Sequence, residues 1–505
     1  MKKEKLMLLG CSLLATTATQ AQEAQKPNII YIMCDDMGYG DLGCYGQKYI
    51  STPNLDNMAA EGMLFTDAYA GSPVSAPSRA SLMTGQHTGH TKVRGNKEYR
   101  IGSMKYGNNT DPVQTGQEPY DSNHIILPEI MKDNGYNTGM FGKWAGGYEG
   151  STCTPDKRGI DEYYGFMCQF QAHLYFPNFL NKYSKADGDT EVTRDILHNN
   201  INYAMHGEDY KNRRDYSADI IHRKAMEWIG KQTADTPFFG IFTYTLPHAE
   251  LYQPNDSILQ AYKNSFCVEK SYGGDAGSRY NPTDCAHAQF AGMITRLDAY
   301  VGEIFALLKE KGFDENTIVV FTSDNGPHEE GGADPAFFNH DGKLRGTKRS
   351  THEGGIRVPY IVRWPGKVAA GSVNDHQLAF YDVMPTLCEI IGIEDYEKKY
   401  SSAEIENDYF DGISFAKTLL GQEGQEKHEF LYWEFHETNM MGLRMKDWKL
   451  VVKNGNCSLY DLATDVHEDN DIAAQYPDIV KQMVDVIHRE HTNSSMFNVT
   501  LPAKR

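Results

Sequence analysis

A serine, a proline and an arginine stand close together in Ser75-Ala-Pro77-Ser-Arg79, followed at once by a helix-like run that ends in Thr-Gly. Pro77 fixes φ and is tolerated in the first turn of a helix, so the run predicts a helix with Ser75 just ahead of its N-terminus. Unpaired backbone N–H groups at such a point favour an anion. Arg79 adds a planar, always-charged donor fork. A small nucleophile, an anion-favouring backbone and a fixed cation suit chemistry on phosphate or sulfate esters.

Two other stretches carry paired oxygen donors. Asn28 to Met33 is an unbroken apolar run that reads as a buried, parallel strand, and it ends in Cys34-Asp35-Asp36. Ile318 to Phe321 is a second such run and ends in Ser323-Asp324-Asn325-Gly326. Ligands in open α/β sheets gather at the carboxyl ends of strands, and adjacent acids repel unless a cation lies between them. Asp35, Asp36, Asp324 and Asn325, joined by the oxygen of Ser75, form a hard-oxygen set for Ca²⁺ or Mg²⁺. Two more apolar strands, Tyr136 to Phe141 and Pro237 to Thr245, lead to Lys143 and His248 on the same edge. A histidine there can serve as a general acid. Lys348 lies in a basic, glycine-rich loop that feeds a further strand, Pro359 to Arg363.

These groups need a scaffold. Helical patterns cover Pro53 to Gly62, Ile126 to Asn134, Tyr216 to Gln232, Ala286 to Lys311 and Asp382 to Ile391. Strands alternating with helices predict an α/β fold with a large sheet flanked by helices. Residues 146 to 216 read as long binding loops, where Gln169, Gln171, His173, Tyr175 and Phe176 would suit a sugar ring. From about His428 short strands with tight turns take over, then a helix from Tyr476 to His491. This divides the chain into a signal at 1–21, a catalytic domain at 22–425 and a C-terminal subdomain at 426–505, the last a small antiparallel sheet with one helix.

The chain has 505 residues and a net charge of −19. That balance argues against nucleic acid or an anionic membrane as the main partner. An anionic substrate must therefore meet a local basic pocket, for which Arg79, Lys143 and Lys348 are candidates. The N-terminus reads as a basic segment, a short apolar segment and small residues before Gln22, which predicts cleavage after Ala21 and a periplasmic or secreted protein. The run before Cys11 is too short for a lipoprotein box, and no later stretch reaches membrane-spanning length. Nine cysteines, eight after cleavage, show no zinc spacing. Cys267 and Cys285 flank a polar loop and could pair, or remain buried thiols.

The ordered blocks PNIIYIMCDDMGYGDLGCYG, SPVSAPSRASLMTG, GKW, LPHAE, FTSDNG, LRGTKRSTHEGGIRVP and LRMKDWKLV resemble the type I sulfatases of the alkaline-phosphatase superfamily over almost the whole mature chain. The resemblance implies an alkaline-phosphatase-like mixed sheet. It implies a Cα-formylglycine made from Ser75 by a formylglycine-generating maturase, as in Ser-type members, and Ca²⁺ held by Asp35, Asp36, Asp324, Asn325 and residue 75. It further implies Arg79 on the formylglycine hydrate, Lys143 and Lys348 on sulfate oxygens, and His248 as acid to the leaving alcohol. One position departs from the pattern: Ala145 stands where the family commonly has a histidine, and His173 or His340 could substitute from other loops. The run from Thr154 to Pro177 resembles sulfatases acting on N-acetylgalactosamine or galactose, as in chondroitin or mucin breakdown, with the 6-O ester slightly favoured over 4-O. Two alternatives remain: a phosphatase or phosphodiesterase of the same superfamily, and a non-catalytic protein that binds sulfated glycans.

Overall fold

A computed structural model describes residues 25–504 apart from 102–103, 107–108, 112–113, 200–212, 267–270, 274–279, 281 and 341. The signal segment, Cys11 and Cys267 lie outside the described residues. Cys285 is disulfide-bonded.

Ten strands form one mixed sheet. Its centre is the Asn28–Cys34 strand, which runs parallel to Phe238–Thr243 on one side and to Thr317–Ser323 on the other. Asn137–Lys143 and Glu162–Phe166 continue the parallel block. Phe179–Ser184 and Thr193–Ile196 close that side antiparallel. Tyr360–Arg363 turns the other side antiparallel, followed by Met63–Phe65 and Ser372–Asn374.

Side chains of the central strand alternate between two cores because successive Cβ atoms point to opposite faces. Ile30 and Ile32 pack with the helices Pro53–Glu61, Ser217–Lys231 and Ala286–Glu310. Ile29, Tyr31 and Met33 pack with the Ser75–Thr84 helix and with Val383–Ile390. Both faces are covered, which is why the strands read as continuous apolar runs.

The expected central strands and principal helices are present to within one or two residues. Two expectations change. The stretch read as loops between 146 and 216 contains three strands of the main sheet, Glu162–Phe166, Phe179–Ser184 and Thr193–Ile196. They pair one after another in chain order, starting from Asn137–Lys143, and their mixed sequences EYYGF, FLNKYS and TRDI lack the unbroken apolar run that marks the central strands. Ser75 is the first residue of its helix, not the residue ahead of it, because extended Val74 (φ −147°, ψ 160°) takes the capping position.

The C-terminal part holds a four-stranded antiparallel sheet, Leu431–Phe435, Met440–Met445, Trp448–Lys453 and Asn456–Asp461, with the Pro477–Glu490 helix packed on it. It joins the large domain through buried polar contacts. Lys449 Nζ donates to Glu353 Oε1 at 2.8 Å, and Arg444 reaches Asp67 at 2.7 Å and the Tyr69 hydroxyl. At the far end of the seam His90 Nδ1 donates to Asp411 at 2.8 Å, and His87 Nε2 lies 3.5 Å from Glu490. Among the described residues no helix is long and apolar enough to cross a membrane.

Candidate active site

Four parallel strands end on one edge, and each carries a polar group at or just past its last residue. Asp35 and Asp36 follow the central strand, Asp324 and Asn325 follow the Thr317–Ser323 strand, Lys143 ends its strand, and His248 lies five residues beyond Thr243. Register does the rest: Cys34 pairs with Ser323 and Met33 with Thr243, so the strands stop at a common level. Gly142 has φ +120°, and a Cβ there would sit 2.0 Å from the Thr243 carbonyl oxygen. Only glycine fits this approach, just where the chain turns to aim Lys143.

The helix carrying Ser75 and Arg79 packs under this edge. Ser75 Oγ donates to Asp35 Oδ1 at 2.9 Å, and Lys143 Nζ donates to Asp35 Oδ2 at 2.6 Å. Arg79 reaches Asp324 Oδ2 through Nε at 3.1 Å and through a terminal nitrogen at 2.7 Å. Lys348 Nζ donates to Asp36 Oδ2 at 2.8 Å and to His248 Nε2 at 3.0 Å. One oxygen of each carboxylate thus takes a cation. The other oxygens take weaker donors: Ser75 on Asp35, the Asn325 amide on Asp36 at 2.7 Å, and the Asp36 backbone N–H on Asp324 at 3.2 Å.

Asn325 Oδ1 is buried and has no hydrogen-bond partner. A buried amide oxygen without a donor is costly. With three carboxylates and one hydroxyl beside it, the donor set is all oxygen, and it fits a hard divalent cation.

Electrostatics separate the carboxylates. Burial opposes ionisation of Asp35, but Lys143, then His248 and Arg79, hold its carboxyl well below the usual range. Burial and the adjacent Asp35 push Asp324 up to about 6, against Arg79 and Lys143. Burial, together with the Lys348 ammonium, pushes His248 down to about 4. Its Nδ1–H donates to the Ala249 carbonyl, so Nε2 is the atom that faces Asp36, Lys348 and the site.

His173 also reaches this region. Its ring stacks on His248 with centroids 4.6 Å apart at 13°, and its buried Nδ1 has no partner. His340 does not join the cluster. Its Nδ1 pairs with Asp41 and its ring lies on Phe290 and Phe338, where it fastens the loop after Asp36. Ala145 is buried with φ +57°. Sequence reasoning passed over His328, Glu330 and Tyr280. His328 stacks on His248 at 5.6 Å, and the Tyr280 hydroxyl donates to Glu330 at 2.8 Å. The Gly-Pro-His-Glu-Glu run directly after Asn325 was the available signal, since it leaves the same strand end.

Comparison with known proteins agrees with this geometry. The sulfatase family model matches residues 27–393, and the model described as N-sulphoglucosamine sulphohydrolase, C-terminal, matches 346–493. An N-acetylgalactosamine-6-sulfatase of Mus musculus is 32% identical over 85% of this chain and 72% of its own length. An N-acetylgalactosamine-6-O-sulfatase of Bacteroides thetaiotaomicron is 28% identical over 96% of this chain and 97% of its own. The solved structure of Ps i-CgsB in complex with k-i-k-neocarrahexaose superposes with a TM-score of 0.71 at 28% identity, covering 93% of this chain and 94% of that one.

Proposed function

The chain belongs to the sulfatase family, with an alkaline-phosphatase-like fold, and from that premise we propose that it is an exo-acting carbohydrate O-sulfatase. Its substrates would be N-acetylgalactosamine or galactose esters, 6-O before 4-O, in glycans such as chondroitin sulfate or mucin. The observation that carries this reading is Ser75 bonded to Asp35 inside a buried ring of three carboxylates and three cations. The names of the N-acetylgalactosamine-6-sulfatase relatives support the sugar and the position.

Asp35, Asp36, Asp324 and Asn325 would hold Ca²⁺ together with residue 75. Formylglycine formed from Ser75 by a maturase would, once its aldehyde has added water, supply two hydroxyls on one carbon, one to attack sulfur and one whose deprotonation lets sulfate depart and restores the aldehyde; Ca²⁺ would add positive charge at the ester oxygens. The rest falls to the chain's own side chains. Lys143, Arg79 and Lys348 surround the site with fixed positive charge in a water-poor pocket, where it stabilises shifting negative charge most strongly. His248 presents Nε2 to the leaving oxygen. A sugar alkoxide is a poor leaving group, so a proton delivered there lowers the barrier more than it would for an aryl ester. Lys348 Nζ, 3.0 Å from that nitrogen, can replace the proton His248 gives up. A bound sulfate ester beside Lys348 offsets the ammonium that disfavours the imidazolium, so protonation of His248 becomes easier with substrate in place. The small residues at 145–147 leave the family histidine without a local equivalent. Of the two substitutes, His173 is the one whose ring stacks on His248, whereas His340 pairs with Asp41. The basic, small-residue N-terminus supports export to the periplasm or beyond.

Sulfate release by the matured protein from N-acetylgalactosamine 6-sulfate, N-acetylgalactosamine 4-sulfate, galactose 6-sulfate and a glucosamine sulfate tests the reading. Release from a galacto-configured 6-sulfate is expected. Release confined to glucosamine sulfate would overturn the sugar, and release from none with formylglycine present would overturn the carbohydrate-sulfatase assignment.

A further inference from the structure

Just outside His248 and Lys348 lies a second polar layer. Glu330 Oε2 accepts from the Tyr280 hydroxyl at 2.8 Å and lies 3.4 Å from Lys348 Nζ and 4.0 Å from His248 Nε2. Its other oxygen, Oε1, pairs with a terminal nitrogen of Arg349 at 2.8 Å. The backbone is fixed as well. Glu330 N–H donates to His328 Nδ1 at 3.1 Å, and His328 Nε2–H donates to the Pro247 carbonyl at 3.3 Å. The same His328 ring stacks against His248. Glu330 is therefore tied to the catalytic edge through both its backbone and its carboxylate.

This layer differs from the pocket floor in exposure and in chemistry. The side chains of Glu330 and Arg349 are 23% and 41% exposed, whereas those of Asp36, His248 and Lys348 are 0%, 2% and 5% exposed. The pair sits where the catalytic groups meet solvent, on the side of the histidine that serves the leaving oxygen. Burial opposes ionisation of Glu330, but Lys348, His248 and Arg349 hold its carboxyl well below the usual range. A sulfate group offers only acceptor oxygens, so an ionised carboxylate cannot bind it. A hydroxyl offers both a proton and lone pairs, and a carboxylate beside a guanidinium meets both. A carboxylate oxygen has about two lone-pair directions, and Oε1 accepts one bond from Arg349, so a hydroxyl proton can take the other.

Resting on the carbohydrate-sulfatase reading, we infer that Glu330, with Arg349 at its side, determines specificity by hydrogen-bonding the ring hydroxyl nearest the sulfated carbon of the leaving sugar. For a 6-sulfated galacto-configured sugar that hydroxyl is O4. The site thus selects its sugar at the same carboxylate that braces Lys348.

The test pairs the Glu330→Gln variant with a substrate lacking the hydroxyl. On galactose 6-sulfate, kcat/KM should fall about 10- to 100-fold, the loss typical when a hydrogen bond to a charged group is removed. Wild-type protein should lose a similar factor on 4-deoxygalactose 6-sulfate, and the variant should lose little more on that substrate. Calorimetry with inorganic sulfate reads the opposite sign. Removing a negative charge beside Lys348 should leave sulfate affinity unchanged or tighter. The Glu330→Asp variant keeps the charge but withdraws the oxygen by one methylene, and should show the same loss on the sugar. If Glu330→Gln weakens inorganic sulfate and sugar turnover in step, the carboxylate only braces Lys348 and the inference fails. Equal wild-type rates on the deoxy and parent sugars would also overturn it while leaving the function standing. Wild-type protein that binds sulfate yet turns over no sugar ester would overturn the function first, and the inference with it.

Discussion

Two buried charge clusters in this molecule use the same residue types to opposite ends. At the strand edge, Asp35, Asp36 and Asp324 meet Lys143, Arg79 and Lys348. At the seam with the C-terminal sheet, Glu353 and Asp67 meet Lys449, Arg444 and Arg357. The seam cluster is saturated. Both Glu353 oxygens are taken, by Lys449 at 2.8 Å and by the Tyr69 hydroxyl at 2.6 Å, and none of its members has an unpaired buried atom among the described residues. Burial opposes ionisation of Glu353, yet Lys449, Arg444 and Arg357 bring its carboxyl down to about 2. The edge cluster is unsaturated. Asn325 Oδ1 has no donor, and Asp324 is pushed up to about 6 by burial and by Asp35. A cluster that satisfies itself holds two parts of a protein together. A cluster that crowds its carboxylates and leaves an amide oxygen undonated keeps an unfavourable arrangement that a ligand relieves.

The largest effect should come from Ser75→Ala, which removes the proposed nucleophile from the unsaturated cluster. Sulfate release should fall by about a thousandfold or more, while thermal unfolding stays where it is or moves up. Retained turnover would break the comparison, since the edge would then not be organised around residue 75.

The saturated cluster should respond the other way. Glu353→Gln leaves Lys449 buried without its counter-charge, a loss of about 3 kcal/mol or more in denaturant unfolding, with turnover per folded molecule preserved. Acid gives the same answer without mutation. Because the folded carboxyl titrates below its unfolded value, its contribution is complete above about pH 4.5 and is lost as pH falls toward 2. Wild-type protein should therefore lose more stability across that window than Glu353→Gln does. A smaller effect sharpens the contrast. Ca²⁺ at about a hundred times its dissociation constant should stabilise wild-type protein by about 2.7 kcal/mol, and should do far less for Asp324→Asn. Equal shifts in both proteins would mean that the cation binds elsewhere.

Much of the edge cluster was legible because each of its parts is local. Asp35-Asp36 and Asp324-Asn325 each follow an apolar run, and a buried strand delivers whatever stands at its carboxyl end to one rim. The three strands between 162 and 196 were not legible. They extend the main sheet from its Asn137–Lys143 side, each pairing with its neighbour in chain order, but polar residues interrupt their apolar pattern, so their place in the sheet rather than their local sequence marks them as strands. His340 illustrates the same limit. A histidine in a loop between site motifs was a fair candidate, but packing turns it onto Asp41 and two phenylalanine rings. Glu330 is the reverse case, a surface-looking glutamate that the fold sets beside Lys348 and His248.

The sequence by itself determined which oxygens, cations and hydroxyl are present, and that parallel strands carry most of them to a shared edge. Only the tertiary structure decided which cation sits on which carboxylate, which imidazoles stack on His248, and which charge cluster is saturated. Strand ends are set by runs of neighbouring residues, whereas the partner of a buried charge is set by side chains hundreds of positions away, brought within 3 Å only when both cores close.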